Sequence, residues 1–471
     1  MSSIDKTSDF DWEEEYAYTL GVQAFIYAFP WAYMPVAYKL RLDLNKGTVN
    51  QFTHLRKLKD PSHQLGGAPN NDTLYSQAVV YLGKEPLILS IPPLPSDPEL
   101  PDYRYHNVQL TDYRGDQFAY VGTRATGGKG GNFAIVGPNW QGDLPEGVQE
   151  LEGPSPTPWA FLSARNLLTE EERKEGADLT EVHDIQDLYT LTPLSLWNNP
   201  DATPEPVDEL WEPDDRDKDP LADWKNINRA MADNPPPDSY DACLLELFKT
   251  IGVGPGLDIE VQSESTKRGL ERAAVEGLKI VDEAFVQGYA HKEVNGWKYP
   301  PPETGRPSSV RDWLLRAIQA QAGFVANDTI EAIYMSVFVD KDGNPLSGEN
   351  RYELKFKKEE QPEVNAFWSL SMYDLNYNLV DNPLDRYSLG DRSGMIPGKL
   401  GRLTISIQHD RPSECPSEDH DPSGEQCPNW LPAPKGNFFM FMRLYLPGYP
   451  ALSQWWEPPA LTNLGPAGDA S

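Results

Sequence analysis

Positive charge is what this 471-residue chain has least of: 41 Lys and Arg stand against 72 Asp and Glu, for a net charge of −31. So acidic a surface repels phosphate backbones and anionic headgroups, which argues against nucleic-acid and membrane-surface partners. Cysteine is scarce. Cys243, Cys415 and Cys427 are too few for a disulfide scaffold. Cys243 lies in an apolar helical run and is expected to be a small core residue; Cys415 and Cys427 flank a polar segment and are left open as a pair that closes a loop. The seven histidines show no metal-ligand spacing, so no metal is expected. No nucleophile elbow or phosphate loop occurs, and Gly252-x-Gly254-x-Gly256 follows a helical run instead of a strand. No cofactor is therefore called for. Long apolar runs are missing too: residues 21–38 are interrupted by Gln23, Pro30 and Pro35, and residues 1–15 carry no signal-peptide pattern, so a soluble, cytoplasmic protein is expected.

What is present demands a core. Hydrophobic residues make up 39%, with 13 Trp, 22 Tyr and 16 Phe, which rules out an acidic disordered chain. The 44 prolines read as turn punctuation. Residues 1–60 read as an N-terminal helical segment, with a helix expected to end near Pro30. Short β-branched and aromatic runs at 74–82, 86–91, 103–112, 118–124 and 132–136 place a β-sandwich over residues 61–160. Residues 161–325 turn mostly helical, clearest at 265–289 and 308–322, around an acidic, proline-rich loop at 201–219. Strand patterns return at 330–339, 351–357, 366–373, 402–408 and 438–445, giving a jelly-roll-like β domain over 326–471. The fold class is mainly β with a helical insert: an N-terminal β-sandwich, a small helical domain and a C-terminal jelly roll. Asn71-Asp-Thr-Leu and Asn327-Asp-Thr-Ile each open a strand, an echo that two related sandwiches or chance would explain.

Polar residues set in aromatic strands carry the chemistry. Asp72 and Asp112 are the candidate acid–base groups, and Tyr75 and Tyr373 the candidate proton donors. Arg104, His106, Trp368, Arg386, Arg443 and Tyr445 are the candidate substrate contacts. Two readings stay open: Arg–Asp pairs that lock strand ends, or a mostly apolar pocket with a few convergent polar groups.

These residues also carry a resemblance. The motifs around Pro69–Ser76, Lys84-Glu-Pro-Leu, Arg104-Tyr-His, Gln109-Leu-Thr-Asp112 and Gly122-Thr-Arg resemble domain of unknown function 1254. Phe367-Trp-Ser-Leu-Ser-Met-Tyr-Asp374, Asn382-Pro, Arg386-Tyr-Ser and Arg443-Leu-Tyr-x-Pro447 resemble its usual partner, domain of unknown function 1214. The resemblance implies the three-part fold and transfers no catalytic residue. The Cys415 to Cys427 segment is not a feature associated with it. The resulting expectation is a cofactor-independent enzyme using carboxylate and tyrosine chemistry (hydrolysis, elimination or cyclisation) on a small, partly hydrophobic molecule held between the β domains. The alternative is a non-catalytic small-molecule- or glycan-binding or structural assembly protein. Self-association into a homo-oligomer stays open.

Overall fold

The computed structural model describes residues 10–466 apart from 65, 96, 98–102, 175, 208, 238, 240, 418–419 and 422. The chain begins with α1 (Trp12–Asn45), capped by Asp11, whose carboxylate accepts from the Glu14 amide at 3.2 Å. Glu13, Glu14 and Glu15 follow in the first turn, where the helix dipole favours negative charge.

The helix does not stop near Pro30. It runs through Pro30 and Pro35 for 34 residues. Each interior proline costs about 3 kcal/mol or more. Against that, Phe25, Tyr27, Phe29, Trp31, Met34 and Tyr38 are all buried, each worth roughly 1.5–3 kcal/mol. Their partners are the later helices of the same core, α4 (Ala222–Asp233), α5 (Asp241–Phe248), α6 (Glu264–Gln287) and α7 (Trp313–Gly323). At the α1–α6 crossing, Gly269 has no Cβ; one built there would sit 2.4 Å from the Glu14 carbonyl, so the close approach requires glycine. The single helix expected over 308–322 is broken: a short 3₁₀ turn (Pro307–Val310) ends at Arg311 with φ 58°, and Asp312 then caps α7. Cys243, expected in the core, is exposed on α5.

Two β-sandwiches flank these helices. In the first, β1 (Thr53–His54), β2 (Thr73–Tyr81), β4 (His106–Asp112), β5 (Gln117–Gly122) and β8 (Trp159–Leu167) form a sheet in the order β1-β2-β8-β4-β5. It covers a smaller sheet of β3 (Leu87–Ile91), β6 (Gly131–Ile135), β7 (Val148–Glu150) and β9 (Thr190–Pro193), with α2 (Thr180–Asp187) and α3 (Leu194–Asn198) alongside. In the second, β10 (Lys292–Val294), β11 (Trp297–Tyr299), β12 (Ala332–Val337), β14 (Val364–Asp374), β15 (Ser388–Gly390) and β18 (Phe438–Pro447) form a six-stranded sheet, β10-β11-β12-β18-β14-β15. It packs on β13 (Asn350–Phe356), β16 (Leu403–Gln408), β17 (Trp430–Pro432) and β19 (Thr462–Pro466). The fold is thus mainly β with a helical insert, a sandwich followed by a jelly-roll-like unit.

Strand alternation sorts each large sheet into an apolar and a polar face. Ala78, Val80, Val108, Leu110, Leu162 and Ala164 fill the first sandwich; Ile333, Met335, Leu370, Met372, Met442 and Leu444 fill the second. The remaining faces are unusually polar for buried strands; that of the first sheet packs partly on the helical core, through Val79, Trp159 and Phe161, and partly against the second sheet.

Candidate functional site

The first sheet contributes two cross-strand rows to the junction. Tyr75, Arg165 and Asn107 stand in one register row, and Gln77, Ser163 and Gln109 in the next. The second sheet contributes the rows Tyr334, Arg443, Ser369 and Ala332, Tyr445, Phe367. A one-residue register slip in any of these strands would turn its polar set into an apolar core, so the hydrophobic faces fix where these side chains point.

Contacts between the two units are mostly hydrogen bonds. Asp72, fully buried, accepts from Ser369 at 2.6 Å and pairs with Arg173 at 3.0 Å. The Asn70 amide donates to the Tyr445 hydroxyl at 2.6 Å, and the Tyr373 hydroxyl to the Pro69 carbonyl at 2.8 Å. Arg443 donates to Ser371 at 3.1 Å and to the Ala68 carbonyl at 2.7 Å. From the other side, buried Glu331 accepts from Tyr105 at 2.7 Å and from Arg124 at 2.5 Å. Aromatic stacking adds to this: the Phe367 and Tyr445 rings lie 4.2 Å apart, with Tyr105 5.4 Å from Tyr445.

Arg165 lies near the centre and is 2% exposed. It donates to the Tyr75 hydroxyl (3.3 Å), to Gln109 (2.7 Å), to Asn327 (3.3 Å) and to the Val325 carbonyl (2.8 Å). Its guanidinium carbon is 5.1 Å from the Tyr75 ring centre. Asn327 also donates to the Tyr334 hydroxyl at 2.7 Å. Neither Arg165 nor Arg443 forms an ion pair among the described residues; each is held by neutral oxygens and ring faces. Burial pushes the Tyr334, Tyr373 and Tyr445 hydroxyls above the ordinary tyrosine range, so they are proton-bearing donors at neutral pH. Tyr75, Tyr334, Val325 and Phe441 keep partial exposure within this otherwise closed junction.

The ten residues singled out from the sequence divide. Asp72, Tyr75, Tyr373, Arg443 and Tyr445 come together here. Asp112 lies outside the group, locked to Arg114 at 2.8 Å and to the amides of Arg114 and Asp116 in a tight turn. Arg104 is closed in a bidentate pair with Glu172 at 2.9 and 3.0 Å and donates to the Leu167 carbonyl. His106 faces the first sandwich's interior, its Nδ1 near Thr123 and the Arg104 carbonyl; burial pushes its pKa down to about 4. Trp368 pairs with Leu444 and so points into the jelly-roll core. Arg386 donates to the carbonyls of Gly424, Cys427 and Trp430, tying down the loop that the Cys415–Cys427 disulfide closes.

Sequence reasoning missed Arg165, Tyr334, Asn327 and Glu331. The Asn-Asp-Thr echo was the signal for one of them. Asn71-Asp72-Thr73 reaches the second sheet through Asp72, while Asn327-Asp328 reaches the first through Arg165 and the Tyr120 hydroxyl, 2.8 Å from the Asp328 amide. Burial raises Asp328 to about 6 despite its contact with Arg306 at 2.6 Å. An open cleft of about 930 Å³ lies elsewhere, lined by Asp60, Asp374, Asp381 and Asp385. Three of these carboxylates are already engaged by neighbouring Ser62, Asn378 and Tyr387. No cluster of three metal-ligating side chains occurs among the described residues.

Residues 49–193 match the family described as "Protein of unknown function (DUF1254)", and residues 331–449 match "Protein of unknown function (DUF1214)". The chain belongs to this DUF1254–DUF1214 tandem family. The two matched regions carry the two polar sheets, and their contact is the junction. The VPA0106 protein from Vibrio parahaemolyticus is similar in structure, with 22% identity over 95% of this chain and 100% of that one and a TM-score of 0.71; the likeness shows the fold. An uncharacterized protein from Burkholderia cenocepacia aligns at 12% identity over 94% of this chain and 88% of that one, with a TM-score of 0.45. No curated protein matches the sequence. None of the DUF1254–DUF1214 helices is long and apolar enough to cross a membrane among the described residues.

Proposed function

We propose that the junction binds a small, partly hydrophobic organic anion and carries out acid–base chemistry on it: hydrolysis, elimination or cyclisation. The observation that carries this reading is the pair of buried guanidiniums, Arg165 and Arg443, on apposed sheets and ringed by tyrosine hydroxyls; neither forms an ion pair among the described residues, although the Asp72 carboxylate is near enough to favour the charge on Arg443. A desolvated cation costs several kcal/mol unless an anion or a full set of acceptors meets it. Neutral acceptors meet both guanidiniums here; an incoming carboxylate or a developing oxyanion would exchange for one of them, and in a water-poor site each donor counts for more than in solution. Phe441, 5.3 Å from the Arg443 guanidinium, and Phe338, stacked at 4.7 Å on Phe439, offer the apolar wall.

In this scheme Arg165 holds the anionic group. Tyr75, its hydrogen-bonded neighbour, is the proton donor and acceptor, with Tyr334 and Tyr445 stabilising charge that develops on the substrate. Asp72 orients the arrangement through Ser369 and Arg173. Retention of the same ligand without turnover is the second reading, favoured by Asp72 being spent in its ion pair. Native mass spectrometry of the purified full chain tests the proposal. We expect a bound organic acid in the parent protein and its loss in Arg165→Gln, with Tyr75→Phe retaining the ligand but losing turnover. A parent protein that carries no ligand, and binds none from a panel of aromatic and aliphatic acids, would refute it.

A further inference from the structure

We infer that the space above Phe441 is a subsite for one aromatic ring, so that the anion held at the junction is a small aryl acid, its acidic group attached to the ring directly or through one carbon. This rests on the anion site proposed above and adds to it the shape of the ligand's apolar part.

Phe441 lies in β18, between β12 and β14 in the second sheet. Alternation puts Phe439, Phe441, Arg443 and Tyr445 on the face turned to the junction. On that face Phe441 has four neighbours: Phe439 and Arg443 along its strand, Ser336 and Ser371 across from it. All four are buried, Phe439 and Ser371 completely, Arg443 at 5% exposure and Ser336 at 6%. Phe441, in their midst, is nonetheless partly exposed. A side chain enclosed on four sides in an inner strand can be reached only from above, so the layer that covers the sheet leaves a gap over this ring. The gap extends toward β12, where Tyr334, paired with Arg443, and Phe338, just past the strand end, are also partly exposed. Toward β14 it is closed, since Ser369 and Tyr373 are buried.

Aromatic rings surround this gap. Phe439 and Tyr373 meet Phe441 in T-shaped contacts at 5.5 and 5.9 Å, and Phe338 stacks on Phe439 at 4.7 Å. Tyr377 lies 4.9 Å from Phe439, with Phe285 of α6 a further 6.2 Å beyond it. The inner end is cationic: the Arg443 guanidinium carbon is 5.3 Å from the Phe441 ring centre and 5.5 Å from that of Tyr373. Tyr334 joins this end to Arg165, because Asn327 donates to the Tyr334 hydroxyl at 2.7 Å and accepts from Arg165 at 3.3 Å. Rings packed edge-to-face or offset gain more than their buried area supplies, a gain that a saturated ring forgoes. Arg443 stands two residues from Phe441, roughly 7 Å along the strand, which one benzene ring with its acidic group spans. Phe439, as far in the other direction, is fully buried against Tyr377, so the strip closes after one ring.

Calorimetric titration of the full chain tests this with four probes: phenylacetate, cyclohexylacetate, 4-biphenylacetate and butyrate. We expect phenylacetate to bind at least tenfold more tightly than cyclohexylacetate, although the saturated ring is the more apolar, and at least tenfold more tightly than 4-biphenylacetate. Phe441→Leu keeps an apolar floor without a ring. It should cancel the preference for phenylacetate over cyclohexylacetate and leave butyrate affinity within twofold, whereas Phe441→Tyr should keep the preference. Equal affinity of the parent protein for phenylacetate and cyclohexylacetate would overturn the aryl subsite while leaving the anion site standing. So would a preference that survives Phe441→Leu or is lost in Phe441→Tyr. Tighter binding of 4-biphenylacetate than of phenylacetate would overturn the single-ring length. Binding of none of the four would overturn the anion site as well. Should Phe441→Leu fail to fold, the parent protein and Phe441→Tyr decide the matter between them.

Discussion

Replacing Arg104 by methionine separates the two uses to which this fold puts buried arginines. Arg104 is 1% exposed and Glu172 9%, and they form a bidentate pair; Arg104 also holds the Leu167 carbonyl. Arg104→Met leaves the Glu172 carboxylate buried without its partner, which costs about 3–5 kcal/mol. At roughly 2–4 °C per kcal/mol for a unit of 150–250 residues, the melting temperature should fall by roughly 6–20 °C. Arg104→Met/Glu172→Met removes both charges and should recover most of that loss, because a buried pair and an apolar pair of similar volume are nearly equivalent. Arg165→Gln behaves differently: it orphans no carboxylate, loses charge-assisted hydrogen bonds worth roughly 1.5–3 kcal/mol each, and abolishes ligand capture. Thermal melts and denaturant titrations of the four proteins, with ligand binding measured in parallel, check this. If Arg104→Met melts like the parent yet fails to bind ligand, Arg104 is a ligand contact and the division drawn between the two arginines is wrong.

Two further outcomes follow from the same geometry. His106 is buried with a pKa near 4, against 6.5 for the free side chain. Below pH 6.5 the unfolded chain takes up a proton that the folded one refuses, so stability should fall as pH drops from about 6.5 to 4, by about 3 kcal/mol. His106→Gln should flatten that limb of the stability profile, and an unchanged profile would refute the assignment. The Cys415–Cys427 disulfide closes a loop over a sequence separation of 12, worth about 3 kcal/mol. Reduction should loosen the carbonyls that anchor Arg386 and speed proteolysis between residues 415 and 427 by roughly a hundredfold; equal cleavage rates with and without reductant would count against it.

The two β units were legible in the sequence because strand alternation and proline-rich turns are local signals, although the central strand of the first sheet, Trp159–Leu167, fell in a stretch read as helical. The helical span of α1 was misread because a proline's cost is local, while what overrides it is burial of Phe25, Tyr27, Trp31 and Tyr38 against helices roughly two to three hundred residues further along the chain. The same limit applied to the site. Asp72, Tyr75, Tyr373, Arg443 and Tyr445 were found because polar residues in aromatic strands stand out. Asp112, Arg104 and Arg386 stood out equally, yet Arg114, Glu172 and the carbonyls of the 424–430 loop take them up. Arg165 escaped notice because residues 161–325 read as mostly helical, so the strand Trp159–Leu167 that turns it toward the second sheet was not seen.

Composition and pattern alone determined that this acidic chain folds, into two β units with a helical insert, since hydrophobic periodicity is written residue by residue. Which charges are neutralised was decided only in three dimensions. Paired and unpaired arginines look the same along the chain, and what distinguishes them is whether a carboxylate, often a hundred residues distant, is brought within reach.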